Sequence, residues 1–205
     1  MALFSSSKRG AAPPPPPPPP PPGPKQTVAR SQAPRPPAVA TSGPLGAFLV
    51  ELLIYNGAPF KDHWSYFVRS HHNPAVGVFI HAAGDVRNGF RFEIKRGLDL
   101  TATSTVPMKR IPLQWVSKEF FIEDAMFNYG IYKVDKTPVC YFEASAHKVK
   151  APEKTLRAVK DRVTSTPSRL AQRNCQTWIV ESADQLVKDR IFGVEVAAYV
   201  HSIKQ

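Results

Sequence analysis

Ten consecutive prolines, Pro13 to Pro22, rule out more structure than any other stretch of this 205-residue chain. Such a run has no backbone N–H donors and a fixed φ, so it can enter neither a helix interior nor the middle of a sheet and takes the polyproline II form. Pro24, Pro34, Pro36, Pro37 and Pro44 extend the bias, so 15 of the 22 prolines fall within the first 45 residues. The same stretch carries Lys8, Arg9, Lys25, Arg30 and Arg35 and no acidic residue. Residues 1–45 therefore read as a disordered basic tail and residues 46–205 as the folded domain. The tail acts as a spacer or, in a sharper reading, as a ligand for SH3, WW or profilin-type domains.

The net charge of +11 divides into +5 for the tail and +6 for the domain, where the cations are interspersed with all 16 acids. A basic surface favours anionic partners, including peripheral contact with an anionic membrane. No zinc-finger spacing, aromatic RNA-binding motif or long basic helix accompanies it, so nucleic acid is not an expected partner. "MALFSSSKRG" has no apolar core of a secretory signal. The longest apolar run, "LGAFLVELLIY", is about half a membrane span and contains Glu51. The reading is a non-secreted protein with no transmembrane segment, cytoplasmic or nuclear. In a reducing compartment Cys140 and Cys175 stay thiols by default, although spacing alone leaves a bridge between them open.

Past the tail the periodicity is that of strands. "GAFLVELLIY" reads as a strand or a short buried helix. "DHWSYFVR" (62–69), "VGVFIHAAG" (76–84) and "FRFEIKR" (90–96) read as a meander of three strands, separated by a Pro74 turn and an Asn88-Gly89 turn. "RIPLQWV" suggests another strand. "SKEFFIEDAMFNYG" suggests a helix from a Ser117 cap to Gly130, and "PVCYFEASAHKV" a strand, a helix or both. A further helical stretch is expected near Thr155–Val163. "NCQTWIVESADQLVKDRI" is the clearest helix, with "GVEVAAYVHSIK" as a second. Strands first and helices last indicate an α+β domain.

Cys175 lies in the first turn of that clearest helix, with Asn174 placed to cap it. Taken alone it belongs to the apolar stripe that continues through Ile179, Ala183 and Leu186. Two histidines change its context. His63 and His81 occupy neighbouring strands and are equidistant from residue 72 in the connecting turn. A hairpin centred there puts them directly opposite, with Cβ atoms about 4.5–5.5 Å apart. A thiol nucleophile needs such a base and a third group to orient it. The helix N-terminus is expected to lower the thiol pKa, and the Cys175 amide or Gln176 to bind an oxyanion. His63, His81 and Cys175 could alternatively hold zinc. No Cys-x-x-Cys or His-x-x-x-His spacing supports that, so no metal or other cofactor is expected. Cys140, Trp64 and Tyr66 read as core.

"DHWSYFV", "VGVFIHAAGD" and "RNCQTWIVE", in this order, resemble the circularly permuted branch of the NlpC-type papain-like superfamily. They are similar to the lecithin:retinol acyltransferase and H-Rev107-type group over roughly residues 48–190. The domain also resembles a set of uncharacterised fungal proteins. Gln-Thr-Trp follows the cysteine here where that group has Glu-His. The resemblance implies a permuted papain-like fold, with an antiparallel sheet packed on a cysteine-bearing helix. It also implies Cys175 as nucleophile, His63 as base and His81 as the orienting group. The expected activity is a hydrolase or acyltransferase working through a thioester on a peptide, isopeptide or lipid ester. The alternative is an inactive member of the fold that serves as an interaction module.

Overall fold

A computed structural model describes residues 33–154 and 172–205. The proline run and the Thr155–Val163 segment lie outside them. Six strands form one antiparallel sheet: β1 (Phe48–Tyr55), β2 (His63–Arg69), β3 (Val76–Asp85), β4 (Gly89–Asp99), β5 (Lys109–Val116) and β6 (Lys133–Asp135). Their order across the sheet is β5-β1-β2-β3-β4-β6, so β2, β3 and β4 are the neighbours expected of a meander. Among the described residues the α-helices are α1 (Glu123–Phe127), α2 (Tyr141–His147), α3 (Cys175–Lys188) and α4 (Val194–Ile203). The architecture is α+β. The stretch before β1 meets the sheet at Trp115, whose indole N–H donates to the Ala40 carbonyl at 2.8 Å.

Side-chain alternation sorts the strand residues. Trp64, Tyr66 and Val68 of β2 point into the main core with Ile80, Ile94 and the apolar stripe of α3. Phe67 of β2 points the other way and joins Leu53, Phe79, Leu98 and Leu100 in a second, smaller cluster. With apolar side chains buried on both faces, β1 reads as a hydrophobic run broken only by Glu51, which pairs with Arg110, rather than as an alternating strand.

Tyr66 locks α3 onto β2. Its ring makes an edge contact with Trp178, and its hydroxyl donates to the Ile179 carbonyl at 2.8 Å and lies 3.1 Å from Ser182 Oγ. Trp178 is fully buried and donates its indole N–H to the Val149 carbonyl at 3.0 Å. These contacts fix the first two turns of α3 relative to the start of β2, where the candidate site lies.

The helix expected from Ser117 to Gly130 is interrupted. A 3₁₀ turn at Lys118–Phe120 gives way to extended backbone at Phe121, α1 follows, and a second 3₁₀ turn covers Asn128–Gly130. Ser117 makes no side-chain cap. Phe121, Met126 and Phe127 are all buried, and one continuous helix would point them in different directions. Left-handed backbone at Asn128 and Tyr129, φ 50° and 53°, ends α1. The open segment around Cys140 resolves as a helix, with Cys140 at the N-cap of α2. Behind it lies a buried ion pair: Arg96 on β4 donates to both Glu143 oxygens, at 2.7 and 3.0 Å, and to the Met126 and Thr137 carbonyls.

Candidate active site

Asn174 begins the site by starting α3. Its side chain accepts from the Thr177 N–H at 3.1 Å, and Thr177 Oγ1 accepts from the Asn174 N–H at 3.3 Å, a reciprocal capping box. Cys175 is therefore the first helical residue. Its sulfur lies 3.9 Å from the Asp62 carbonyl and faces the backbone N–H of Trp64, so it touches the residues on both sides of His63.

The histidine strands do not pair as the sequence suggests. The β2–β3 ladder runs only from Tyr66 opposite Ile80 to Arg69 opposite Gly77, which centres the hairpin on residue 73 instead of 72. His63 and His81 are therefore offset by two residues from direct opposition. An offset of two preserves the face, because side chains alternate with period two. The rings meet diagonally, His63 Nε2 lying 2.8 Å from His81 Nδ1 with the planes at 82°. On the β4 side His81 stands directly opposite Glu93, and its Nε2 lies 3.3 Å from Glu93 Oε1. Arg91 donates to the other Glu93 oxygen at 3.1 Å.

Both imidazoles are kept neutral. Tyr55 and Phe79 pack against them on the face away from α3. Burial, reinforced by the Lys95 cation, lowers the His63 pKa to about 4. His81 is held well below the ordinary histidine range by burial, then by His63, Lys95 and Arg91. The thiol departs from the sequence expectation. Burial raises the Cys175 pKa above its ordinary value, although the N–H groups of Trp64, Gln176 and Cys175 all favour the thiolate. The helix N-terminus is present, but desolvation of a residue that is only 6% exposed outweighs it. The resting site thus holds a neutral thiol and a neutral imidazole that line the same cavity.

Gln176 is tied up elsewhere. Its side-chain NH2 donates to the Asp62 carbonyl at 2.9 Å and to Gln205 Oε1 at 3.0 Å, and its Oε1 accepts from the Gln205 N–H at 3.0 Å. Gln205 in turn donates to Asp62 Oδ2 at 2.9 Å. The backbone amides of Cys175 and Gln176, rather than the Gln176 carboxamide, are the donors that face the sulfur.

Cys175 and His63 open onto one cavity of about 860 Å³. Its walls are the β1–β2 loop with Pro59, Phe60 and Lys61, the β3–β4 turn with Val86 and Arg87, and Phe90. Gly84, near the end of β3 just before that turn, has φ 134°, and a Cβ there would come within 2.2 Å of the Gly89 carbonyl. Cys140 is a separate, free, buried thiol whose pKa burial raises to about 12. No cluster of three His, Cys, Asp or Glu side chains among the described residues is placed to hold a metal, and no described helix is long and apolar enough to cross a membrane.

Glu93 and Gln205 are the members that sequence reading missed. Alternation in "FRFEIKR" assigned Glu93 to the polar face, which was the only available signal, and Gln205 lies far from every motif. Residues 50–193 match the model of DUF6540, described as a family of unknown function. The chain belongs to the DUF6540 family. Among curated proteins and solved structures, none matches. In this DUF6540 protein the matched span includes His63, His81, Glu93 and Cys175 and ends before Gln205.

Proposed function

We propose that this DUF6540 protein is a cysteine-dependent acyl-transfer enzyme, a hydrolase or acyltransferase on a permuted papain-like domain. One observation carries the reading. A thiol on the first residue of a capped helix shares a cavity with an imidazole whose other nitrogen is held by a second histidine. His63 Nε2 is engaged by His81, so Nδ1 is the nitrogen available to the thiol.

Because both groups rest neutral, His63 acts as a general base during attack instead of storing an ion pair. The thiol proton passes to His63 Nδ1 as Sγ bonds to the acyl carbon, and the carbonyl oxygen takes the negative charge beside the first-turn amides of α3. The intermediate collapses, the bond to the leaving oxygen or nitrogen breaks, and that atom takes the proton from His63. A thioester remains on Cys175. Water, an amine or a hydroxyl then loses a proton to His63 and attacks the thioester, and the departing sulfur recovers that proton. Water gives hydrolysis, and the other nucleophiles give transfer. The apolar walls at Pro59, Phe60, Val86 and Phe90 suit the acyl part of a peptide, isopeptide or lipid ester.

An acyl-type electrophile at neutral pH tests this, with Cys140 as an internal buried thiol. Cys175 is expected to label at least tenfold faster than a free thiol, and His63→Ala to remove that advantage. Labelling no faster than a free thiol would leave the interaction-module reading in its place.

A further inference from the structure

Two neutral imidazoles that share one hydrogen bond can be protonated in either direction. If His81 donates through Nδ1–H, His63 must carry its own proton on Nδ1, and it then has no lone pair for a thiol. If His63 donates through Nε2–H, Nδ1 is bare and can accept. The His63–His81 contact of 2.8 Å does not itself choose between these.

Glu93 breaks the degeneracy. It stands directly opposite His81 in the β3–β4 ladder, 7% exposed, with Oε1 3.3 Å from His81 Nε2. Arg91, the other partner of this carboxylate, donates to Oε2. An ionised carboxylate only accepts, so the proton of neutral His81 lies on Nε2 and its Nδ1 is bare. That bare nitrogen accepts from His63 Nε2–H and leaves His63 Nδ1 with its lone pair. Tyr55 packs against His63 and Phe79 against His81, the Lys95 cation lies over the Phe79 ring, and among the described residues these two histidine side chains hydrogen-bond only to each other and to Glu93.

We infer that Glu93 is a positioning residue which, through His81, fixes the His63 tautomer that can take a proton from Cys175. The inference rests on the reading of His63 as the base, yet the tautomers can be measured without any turnover. Long-range ¹H–¹⁵N correlation of histidine-labelled protein at pH 7, assigned with His63→Gln and His81→Gln, should show Nδ1 unprotonated on both rings. A protonated Nδ1 on either ring overturns the inference, whatever the variants do.

Glu93→Gln supplies the variant arm. Arg91 and His81 each meet a different carboxylate oxygen, and a carboxamide replaces one of those oxygens with an NH2 that can only donate. A second His63 tautomer should therefore appear, and Cys175 labelling should fall about tenfold with Cys140 unchanged. Glu93→Asp, which keeps the carboxylate, should restore the single tautomer and most of the rate. If Glu93→Gln leaves both tautomer and rate as in the parent protein, Glu93 is only a structural partner of Arg91 and the inference fails. Slow labelling of the unsubstituted protein, by contrast, counts against the enzymatic reading and is separable from the tautomer result.

Discussion

His63 Nε2 lies 2.8 Å from His81 Nδ1 even though the two residues are not opposite each other in the sheet. The diagonal contact turns both rings along a line from the cavity to Glu93. It leaves one His63 nitrogen for chemistry and buries the other in the hydrogen-bond chain.

The neutral state of that chain predicts an unusual pH profile. A His63 pKa near 4 keeps the base in its accepting form through the whole neutral range. The acid limb of kcat/KM, or of labelling by an acyl-type electrophile, should fall near pH 4 and not near the ordinary histidine value of 6.5. Alkylation by a small haloacetamide reports the thiolate alone. It should still be rising at pH 9.0, the ordinary thiol value, because burial raises the Cys175 pKa. A plateau in haloacetamide rate below pH 7 would contradict this.

The same burial links stability to acid. Between pH 6.5 and about 4 the unfolded chain binds a proton at His63 that the native protein does not. Stability is therefore complete above 6.5 and falls as pH drops through that window, by roughly 3 kcal/mol for this group alone. His81 extends the loss in the same direction. Urea midpoints at pH 7, 5.5 and 4.5 will show the slope, and His63→Gln should flatten it.

Asn174→Ala should cost about 1 kcal/mol, the usual worth of an N-cap. It removes the acceptor of the Thr177 amide in the turn that carries the thiol. Cys175 labelling should fall more than the modest stability loss suggests, since the thiol sits on the first residue to fray. Urea unfolding and labelling on the same sample compare the two effects.

Gln176→Ala separates scaffolding from catalysis. The buried carboxamide ties α3 to Asp62 and Gln205, so its loss should lower stability by about 1–3 kcal/mol. Loss of a true oxyanion donor would instead leave stability intact and cut the rate by about 10²–10³. Thermal unfolding beside labelling rates distinguishes these outcomes.

Glu143→Ala takes the bidentate partner from Arg96, whose side chain is 1% exposed, and leaves it only the single ion pair with Asp135 at 3.1 Å. Breaking a buried pair from one side costs about 3–5 kcal/mol. The double replacement Arg96→Met with Glu143→Leu should recover part of that loss in urea unfolding, because no unpaired charge remains.

Much of the fold was legible in the chain because it depends on local rules. Aromatic and β-branched content marked β2, period-two alternation marked β4, and Asn174 followed by an apolar stripe marked the start of α3. Where local rules conflict, the sequence was less informative. A helix continuing through Phe121–Phe127 satisfies short-range spacing, yet burial of Phe121, Met126 and Phe127 together requires the break that occurs.

The order of the motifs and their parity along each strand were fixed before folding. They placed His63 and His81 on one face in any register that keeps that parity. Only the tertiary structure decided that the hairpin centres on residue 73, that Glu93 closes the far end of the chain, and that Gln205 reaches Gln176. It also decided the charge state of Cys175. A helix N-terminus is visible in sequence, whereas the desolvation that outweighs it depends on everything packed around the sulfur.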